Sequence, residues 1–337
     1  MTKVATRVSY GEKLSELAKK DKRIVVLDAD LTEATKTSIT KKNTPSQHFD
    51  CGIAEGNMVV VAAGMATEDL IPFVSSFAMF LAGRAYEQIR NSIGYPHLNV
   101  KIAATHAGIT VGEDGASHQC NEDIGLMRMI PGMTVLCPSD DREARECVKV
   151  ASEYIGPVYL RFSRFATPVV HKEGYKFEIG KGELIKDGTD ITLISTGIVL
   201  NDVIEASKRL EEKGISTKVV NMCSIKPIDE ELVKECAKCG KIATIEEHST
   251  IGGLGDAVLS VLASNPVPTL KIGVNDVFGH SAIAQCGIKE IIYLSDKYNG
   301  TPGNIASKRI LDSAGVSYKK LEGVRDEIVI DFREENV

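Results

Sequence analysis

The feature that most constrains this chain is a repeated change of hydrophobic period. Stretches with apolar residues three and four apart alternate with short, unbroken apolar runs, from near the N-terminus to about residue 274. An unbroken run has no polar face to give to water. It therefore predicts a strand covered on both sides, as in a mostly parallel sheet layered between helices, an α/β architecture. The pattern predicts a helix over Glu12–Lys20, then a strand at Ile24–Leu27 that ends in the polar loop Asp28-Ala-Asp30. A helix over Glu55–Ala66, a strand at Ile71–Val74, a helix over Phe77–Ser92 and strands at Val100–Thr105 and Met133–Leu136 follow. Pro138-Ser-Asp140 caps a helix over Asp141–Tyr154, and a strand at Val158–Arg161 closes the series.

A chain of 337 residues exceeds the roughly 250–300 residues over which a single α/β core grows, so two domains are expected. Between about 168 and 189 the pattern weakens into polar, glycine-containing sequence, which divides the chain into residues 1–174 and 175–337. A second α/β series occupies the latter. Its strands are expected at Ile191–Ser195, Thr217–Asn221, Ile242–Glu246 and Leu270–Val274, and its helices near Val203–Lys213, Glu230–Lys238 and Leu254–Ala263. Beyond about residue 285 the pattern is irregular, with Asn299-Gly-Thr-Pro-Gly303 as a loop.

Charge and cysteine usage narrow the function classes. The net charge is −6 with no long basic run, so no sequence-independent grip on nucleic acid is expected. The N-terminus carries charges where a signal peptide needs an apolar core, and Met58–Ala66 is too short to span a bilayer, so no membrane association and a cytoplasmic location are expected. Eight scattered cysteines suit reduced thiols better than a disulfide scaffold. Cys236-x-x-Cys239 has no second pair or histidine at ligand spacing, so it reads as packing near a helix end ahead of Gly240, with no metal site assigned.

The segment Thr105–His118 holds two histidines, two acids and three glycines within fourteen residues. Glycines let backbone approach a ligand, while His106, His118 and Asp114 offer proton transfer and hydroxyl recognition near neutral pH. The alternative is a polar loop with capping residues. Glu55, in Gly52-Ile-Ala-Glu-Gly-Asn-Met58, opens a helical stretch among small and apolar neighbours. Taken alone it reads as an exposed acid at a helix N-terminus; held among apolar groups it could share a proton with a nitrogenous ligand. Phe73, Phe77 and Phe80 are core by default, yet three aromatics in eight residues could flank a flat heterocycle. Ile251-Gly-Gly-Leu-Gly255 lacks the spacing of a dinucleotide fingerprint and reads as a tight turn into a helix.

Asp28-Ala-Asp-Leu-Thr32, Gly52–Met58, Thr105-His106, Gly112-Glu-Asp-Gly-Ala-Ser-His-Gln119, Ile130-Pro-Gly-Met133 and Lys226-Pro-Ile-Asp229 occur in this order. Together they resemble the C-terminal half of transketolase, and most closely the separate C-terminal subunit of split, two-chain transketolases, from about Ala5 to Ser281. The resemblance implies a pyrimidine-binding domain followed by a transketolase C-terminal domain, with thiamine diphosphate as cofactor. Glu55 falls on the glutamate that hydrogen-bonds the aminopyrimidine ring and so promotes removal of the thiazolium C2 proton. Phe77 and Phe80 fall on the aromatics that pack on the pyrimidine, and Asp30 on an acid near the cofactor. His106 and His118 match substrate-contacting histidines with a catalytic part, and Asp114 matches the acid that reads the substrate's C2 hydroxyl. Arg7 and Arg164 match arginines that grip the sugar phosphate.

Two positions depart from the pattern: Ala34 stands where the family has a phosphate-contacting serine, and Gly83 where it has a tyrosine. The sequence also lacks the Gly-Asp-Gly stretch and downstream Asn through which these enzymes hold the diphosphate by Mg²⁺ or Ca²⁺. The resemblance assigns that half to an N-terminal partner subunit in an α₂β₂ assembly that uses sugar-phosphate substrates. Alternatives are a 1-deoxyxylulose-5-phosphate synthase-like enzyme, a 2-oxo acid dehydrogenase β-subunit, or a non-catalytic binding partner. Thr105-His106 argues against the first two. Joint retention of Glu55, His106, Asp114 and His118 argues against the third.

Overall fold

The computed structural model describes residues 2–278 and two further strands. From the N-terminus the elements are β1 (Lys3–Ala5), α1 (Thr6–Lys20), β2 (Ile24–Asp28), α2 (Thr32–Thr35), α3 (Ser38–Asn43), β3 (His48–Asp50), α4 (Glu55–Ala66) and β4 (Ile71–Phe77). A helical run over residues 78–94 follows, in which α5 (Tyr86–Gln88) separates two π-helical stretches. Next come β5 (Lys101–Thr105), α6 (Asp123–Met129), β6 (Thr134–Leu136), α7 (Asp141–Glu153), β7 (Val158–Arg161) and β8 (Ala166–Pro168). The second half adds β9 (Glu183–Lys186), β10 (Ile191–Ser195), α8 (Leu200–Glu211), β11 (Thr217–Asn221), β12 (Ser224–Lys226), α9 (Glu230–Ala237), β13 (Ile242–Ser249), α10 (Leu254–Val261) and β14 (Thr269–Val274).

Two compact units are present. One contains Met1–Val111 and His118–Val277; the other contains Gly112–Ser117 and the chain from Phe278. Within the second unit, β15 (Glu290–Tyr293) and β16 (Ser317–Lys320) pair in parallel where the sequence pattern predicted irregular chain. The expected loop at Asn299–Gly303, Cys286 and the end of the family resemblance near Ser281 lie outside the described residues.

The first unit holds two main sheets. The larger has the order β12-β6-β7-β5-β4-β2-β3 and is parallel except for β12 against β6. Every residue of β2, β4, β5 and β7 is buried, as their unbroken apolar runs require. One face packs Leu27, Met58, Val74 and Ile89 with α4 and the helical run; the other packs Tyr10, Leu14, Phe73 and Val148 with α1 and α7. The start of α7 is fixed locally: Asp140 accepts from the Glu143 backbone N at 3.0 Å, and the Glu143 carboxylate accepts from Ser139 N at 2.8 Å. The smaller sheet has the order β14-β13-β10-β11-β9, with only β9 antiparallel.

The halves are knit in both directions. Strand β12 follows β11 of the smaller sheet yet forms the edge of the larger one. Lys226, in β12, donates to the carbonyls of Arg128 and Ile130 at 2.8 and 2.5 Å, so the Lys226–Asp229 and Ile130–Met133 motifs meet. Glu143 accepts from Asn221 and Tyr175 at 2.7 and 3.1 Å. The predicted helix from Phe77 is corrected by one residue: Phe77 is the last residue of β4, paired with Thr105, and the helical run opens at Ala78. Phe73 is core, as its default reading has it: it lies fully buried among Tyr10 and Leu14.

Candidate active site

Ligand sites in parallel sheets form beyond the carboxyl ends of the strands. Here β4 and β5 end side by side, at Phe77 and Thr105. The Phe77 ring stacks on Phe80 at 5.4 Å with an 18° tilt, and on His106 at 3.8 Å with a 29° tilt. His118 meets Phe80 and Phe77 edge-on at 5.4 and 6.1 Å. The two histidines, twelve positions apart, therefore flank one aromatic wall.

His106 occupies left-handed backbone, φ 55°, which a non-glycine residue adopts only when its surroundings enforce it. Its Nε2 lies 3.1 Å from Arg7 Nη1, and its Nδ1 lies 3.0 Å from Thr105 Oγ1. A guanidinium can only donate, so Nε2 accepts and Nδ1 carries the proton. The contact with Arg7 thus selects the neutral imidazole in that tautomer.

Glu55 is the first residue of α4 and is 4% exposed, against the exposed helix-start reading. Its Oε1 accepts from Ser76 Oγ at 3.5 Å and from Arg84 Nη1 at 3.4 Å. The Arg84 guanidinium also lies 4.0 Å from the centre of the Phe80 ring. Gly83 precedes it in the first π-helical stretch, where a Cβ would come within 2.5 Å of the flexible end of Met79.

The arginine-bearing segments are joined through their backbones. Ser163 N donates to Thr6 Oγ1 at 2.8 Å, Arg7 N donates to Ser163 O at 3.3 Å, and β1 pairs antiparallel with β8. Arg7 Nη1 also donates to Ala34 O at 2.8 Å, so the departing position contacts this arginine through its carbonyl. Arg164 Nη1 donates to Val111 O at 2.5 Å. Asp30 is exposed in left-handed backbone, with its N–H on Asp50 Oδ1 at 3.0 Å. Asp28, before it, is buried and accepts from Thr35, Thr37 and Leu31 N; desolvation raises its pKa against those bonds. Asp114 closes the turn Gly112–Asp114 of the other compact unit.

Sequence reading passed over a buried ionic cluster beneath these groups. Arg161 is paired with Asp123 at 2.8 Å, Tyr159 donates to the same carboxylate oxygen at 2.8 Å, and Arg161 Nη2 donates to Glu247 O at 2.9 Å. Next in the chain from Glu247 is His248, whose Nε2 accepts from Gly125 N at 3.3 Å. The available signal was Glu246-Glu247-His248, three polar residues running on from an apolar strand. The Ile251–Gly255 run is the expected turn, and the anion at the start of α10 is the protein's own: Glu246 accepts from Leu254 N and Gly255 N at 2.7 and 2.9 Å. Cys236 is buried at the end of α9, and Cys239 in the following turn donates to Gly188 O at 3.4 Å, ahead of Gly240 at φ 73°.

The fold is an α/β domain that carries this aromatic–carboxylate site, followed by a second α/β domain. Residues 2–169 match the transketolase pyrimidine-binding domain and residues 180–292 the transketolase C-terminal domain. The chain belongs to the transketolase family, a membership that implies thiamine diphosphate as cofactor. It is 49% identical to a protein of Methanocaldococcus jannaschii named as a transketolase C-terminal section, over 91% of this chain and 95% of that one. It is 38% identical to a 6-deoxy-6-sulfo-D-fructose transketolase subunit of a Clostridium species, over 89% of this chain and 91% of that one. A solved split-gene transketolase, described as an inactive β4 tetramer, superposes with a TM-score of 0.77 at 51% identity, over 82% of this chain and 91% of that one.

Proposed function

We propose that this chain is the pyrimidine-side subunit of a two-chain transketolase, moving a two-carbon ketol unit from a ketose phosphate to an aldose. The observation that carries this reading is Glu55, 4% exposed beside a stacked phenyl pair that two histidines flank. The residues fit a flat, N–H-bearing heterocycle. Arg84 already uses the site in that way, with its planar guanidinium over Phe80 and an N–H on Glu55.

When bound, thiamine diphosphate supplies the carbon nucleophile that accepts the two-carbon unit. Phe77 and Phe80 hold its pyrimidine by stacking, and Asp30 is an acid near it. Glu55 accepts a ring N–H and keeps the proton shuttle engaged; its burial strengthens that bond. His106, kept neutral by Arg7, and His118 hold substrate oxygens and exchange protons with them. Asp114 reads the C2 hydroxyl, and Arg164 and Arg7 meet the sugar phosphate as planar donor forks.

The diphosphate and its Mg²⁺ or Ca²⁺ fall to an N-terminal partner in an α₂β₂ assembly. A relative's β4 tetramer is described as inactive, which supports dependence on a second kind of chain. Among the described residues no helix is long and apolar enough to cross a membrane, in keeping with a proposed cytoplasmic site of action. The proposed domain division remains 1–174 and 175–337.

The test is to recover the tagged chain from its native cells and sequence what co-purifies. A chain of roughly 250–300 residues bearing Gly-Asp-Gly, and two-carbon transfer by the complex, are expected. Self-association alone, with the partner shown to be expressed, overturns the two-chain reading.

A further inference from the structure

Near the end of strand β13 lie three polar residues, Glu246, Glu247 and His248, that do separate jobs. Glu246 holds the start of α10, and His248 receives the Gly125 amide. Glu247 reaches out of the smaller sheet altogether. Its Oε1 accepts from the backbone N–H groups of Ile109 and Thr110, at 2.8 Å each, and the residue is only 7% exposed. Those amides lie three and four residues after His106.

The intervening backbone has little freedom. Ala107 N donates to Phe162 O at 3.2 Å, and Gly108 exchanges two hydrogen bonds with Cys120 at 2.9 and 3.1 Å. Gly108 has φ +77°, and a Cβ there would lie 2.3 Å from the Glu247 carboxyl carbon, so the carboxylate is packed directly against this backbone. Arg161 fixes the other side by donating to Glu247 O at 2.9 Å. A left-handed histidine persists only where its flanks are over-determined, and Glu247 is the part of that restraint contributed by the other half of the chain.

We propose that Glu247 is a positioning residue: it acts through the Ile109 and Thr110 amides to hold His106 against the aromatic wall. The proposal rests on the reading of His106 as a site residue given above. It makes the second α/β series a working part of the site.

The experiment compares Glu247→Ala, Glu247→Gln and Glu246→Ala, each assembled with the co-purified partner. Because both amides bond one oxygen, a glutamine carbonyl can accept both, so Glu247→Gln is expected to retain activity. Glu247→Ala is expected to lose kcat on the order of a hundredfold, with the KM for the ketose phosphate little changed. Glu246→Ala removes a comparable pair of bonds from the same strand and is expected to leave kcat unchanged.

Amide exchange at residues 107–110 is read in parallel: it speeds up in Glu247→Ala and not in Glu247→Gln. Wild-type kcat and wild-type exchange in Glu247→Ala overturn the proposal, as does an equal kcat loss in Glu246→Ala. If the wild-type assembly transfers no two-carbon unit, the functional reading falls, and exchange alone decides: faster exchange upholds the restraint and unchanged exchange rejects it.

Discussion

Two strands in this molecule end next to a buried histidine, and they end differently. Strand β5 runs into Thr105-His106, whose ring faces Phe77 at 3.8 Å and Arg7 at 3.1 Å. Strand β13 runs through Glu247-His248, where Glu247 Oε1 accepts from the amides of Ile109 and Thr110 and His248 Nε2 from that of Gly125. A side chain bonded to backbone amides is committed, since moving it would strand buried N–H groups. One bordered by a phenyl ring and a long side chain can exchange those neighbours for a ligand. Polarity and burial alone do not separate structural from chemical residues; the kind of partner does.

The largest break in this comparison is expected at the site end. Glu55→Gln keeps the shape and removes the carboxylate, and should lower kcat by on the order of 10²–10⁴-fold while the assembly still forms. Steady-state rates with size-exclusion chromatography check it, and an unchanged rate removes Glu55 from the mechanism. Next is Arg161, which links the two strand ends. Arg161→Met leaves Asp123 buried without its cation and should cost about 3–5 kcal/mol in urea unfolding.

A smaller effect sharpens the contrast. Glu246→Ala strips the α10 N-terminus and should cost about 1 kcal/mol, read as a lowered unfolding midpoint.

A pH effect far from either end gives a further test. His171 lies between Asp140 and Glu183, at 2.9 Å from each. Burial opposes its charge, yet the two carboxylates lift its pKa from 6.5 to about 10. A raised folded-state pKa stabilises fully below the unfolded value, and that contribution is lost as pH rises through about 10. Asp140 runs the other way: burial would raise it, the His171 contact outweighs that, and its contribution is lost as pH falls below its unfolded value of 3.8. His171's contribution to the unfolding free energy should therefore decline between pH 6.5 and 10. Lys101, whose pKa burial lowers to about 7, opposes it over the same range, so His171→Gln should make the unfolding free energy rise more steeply with pH than it does in the wild type.

Much of this was legible in the amino-acid order, for a physical reason. Buried parallel strands need unbroken apolar runs, so β2, β5, β7, β10, β11 and β13 stood out. The short strands β1, β3 and β12 carry no apolar run of their own, and their existence depends on a neighbour's free edge. The spacing of Phe77 and Phe80 puts them side by side, and they stack although the helix begins one residue later than expected, at Ala78, because a strand end followed by a helical turn still brings the rings together. Glu55 was recognisable from its neighbours; its burial was not, because that depends on β4 closing over it. Glu247 was passed over because its partners are backbone amides 138 and 137 positions away, which leave no trace in side-chain identity.

The edge position of β12 also bears on how the chain is made. Strand β6 leaves the ribosome with one side unpaired, and the strand that covers it begins at Ser224. At ~5–20 residues per second, the roughly ninety residues between Leu136 and Ser224 take on the order of 5–20 s to appear. For that interval the nascent first half carries a bare ladder of N–H and C=O groups, the usual template for wrong pairing. Each half has a sheet and core of its own, yet the larger sheet is complete only once Ser224–Lys226 has been made.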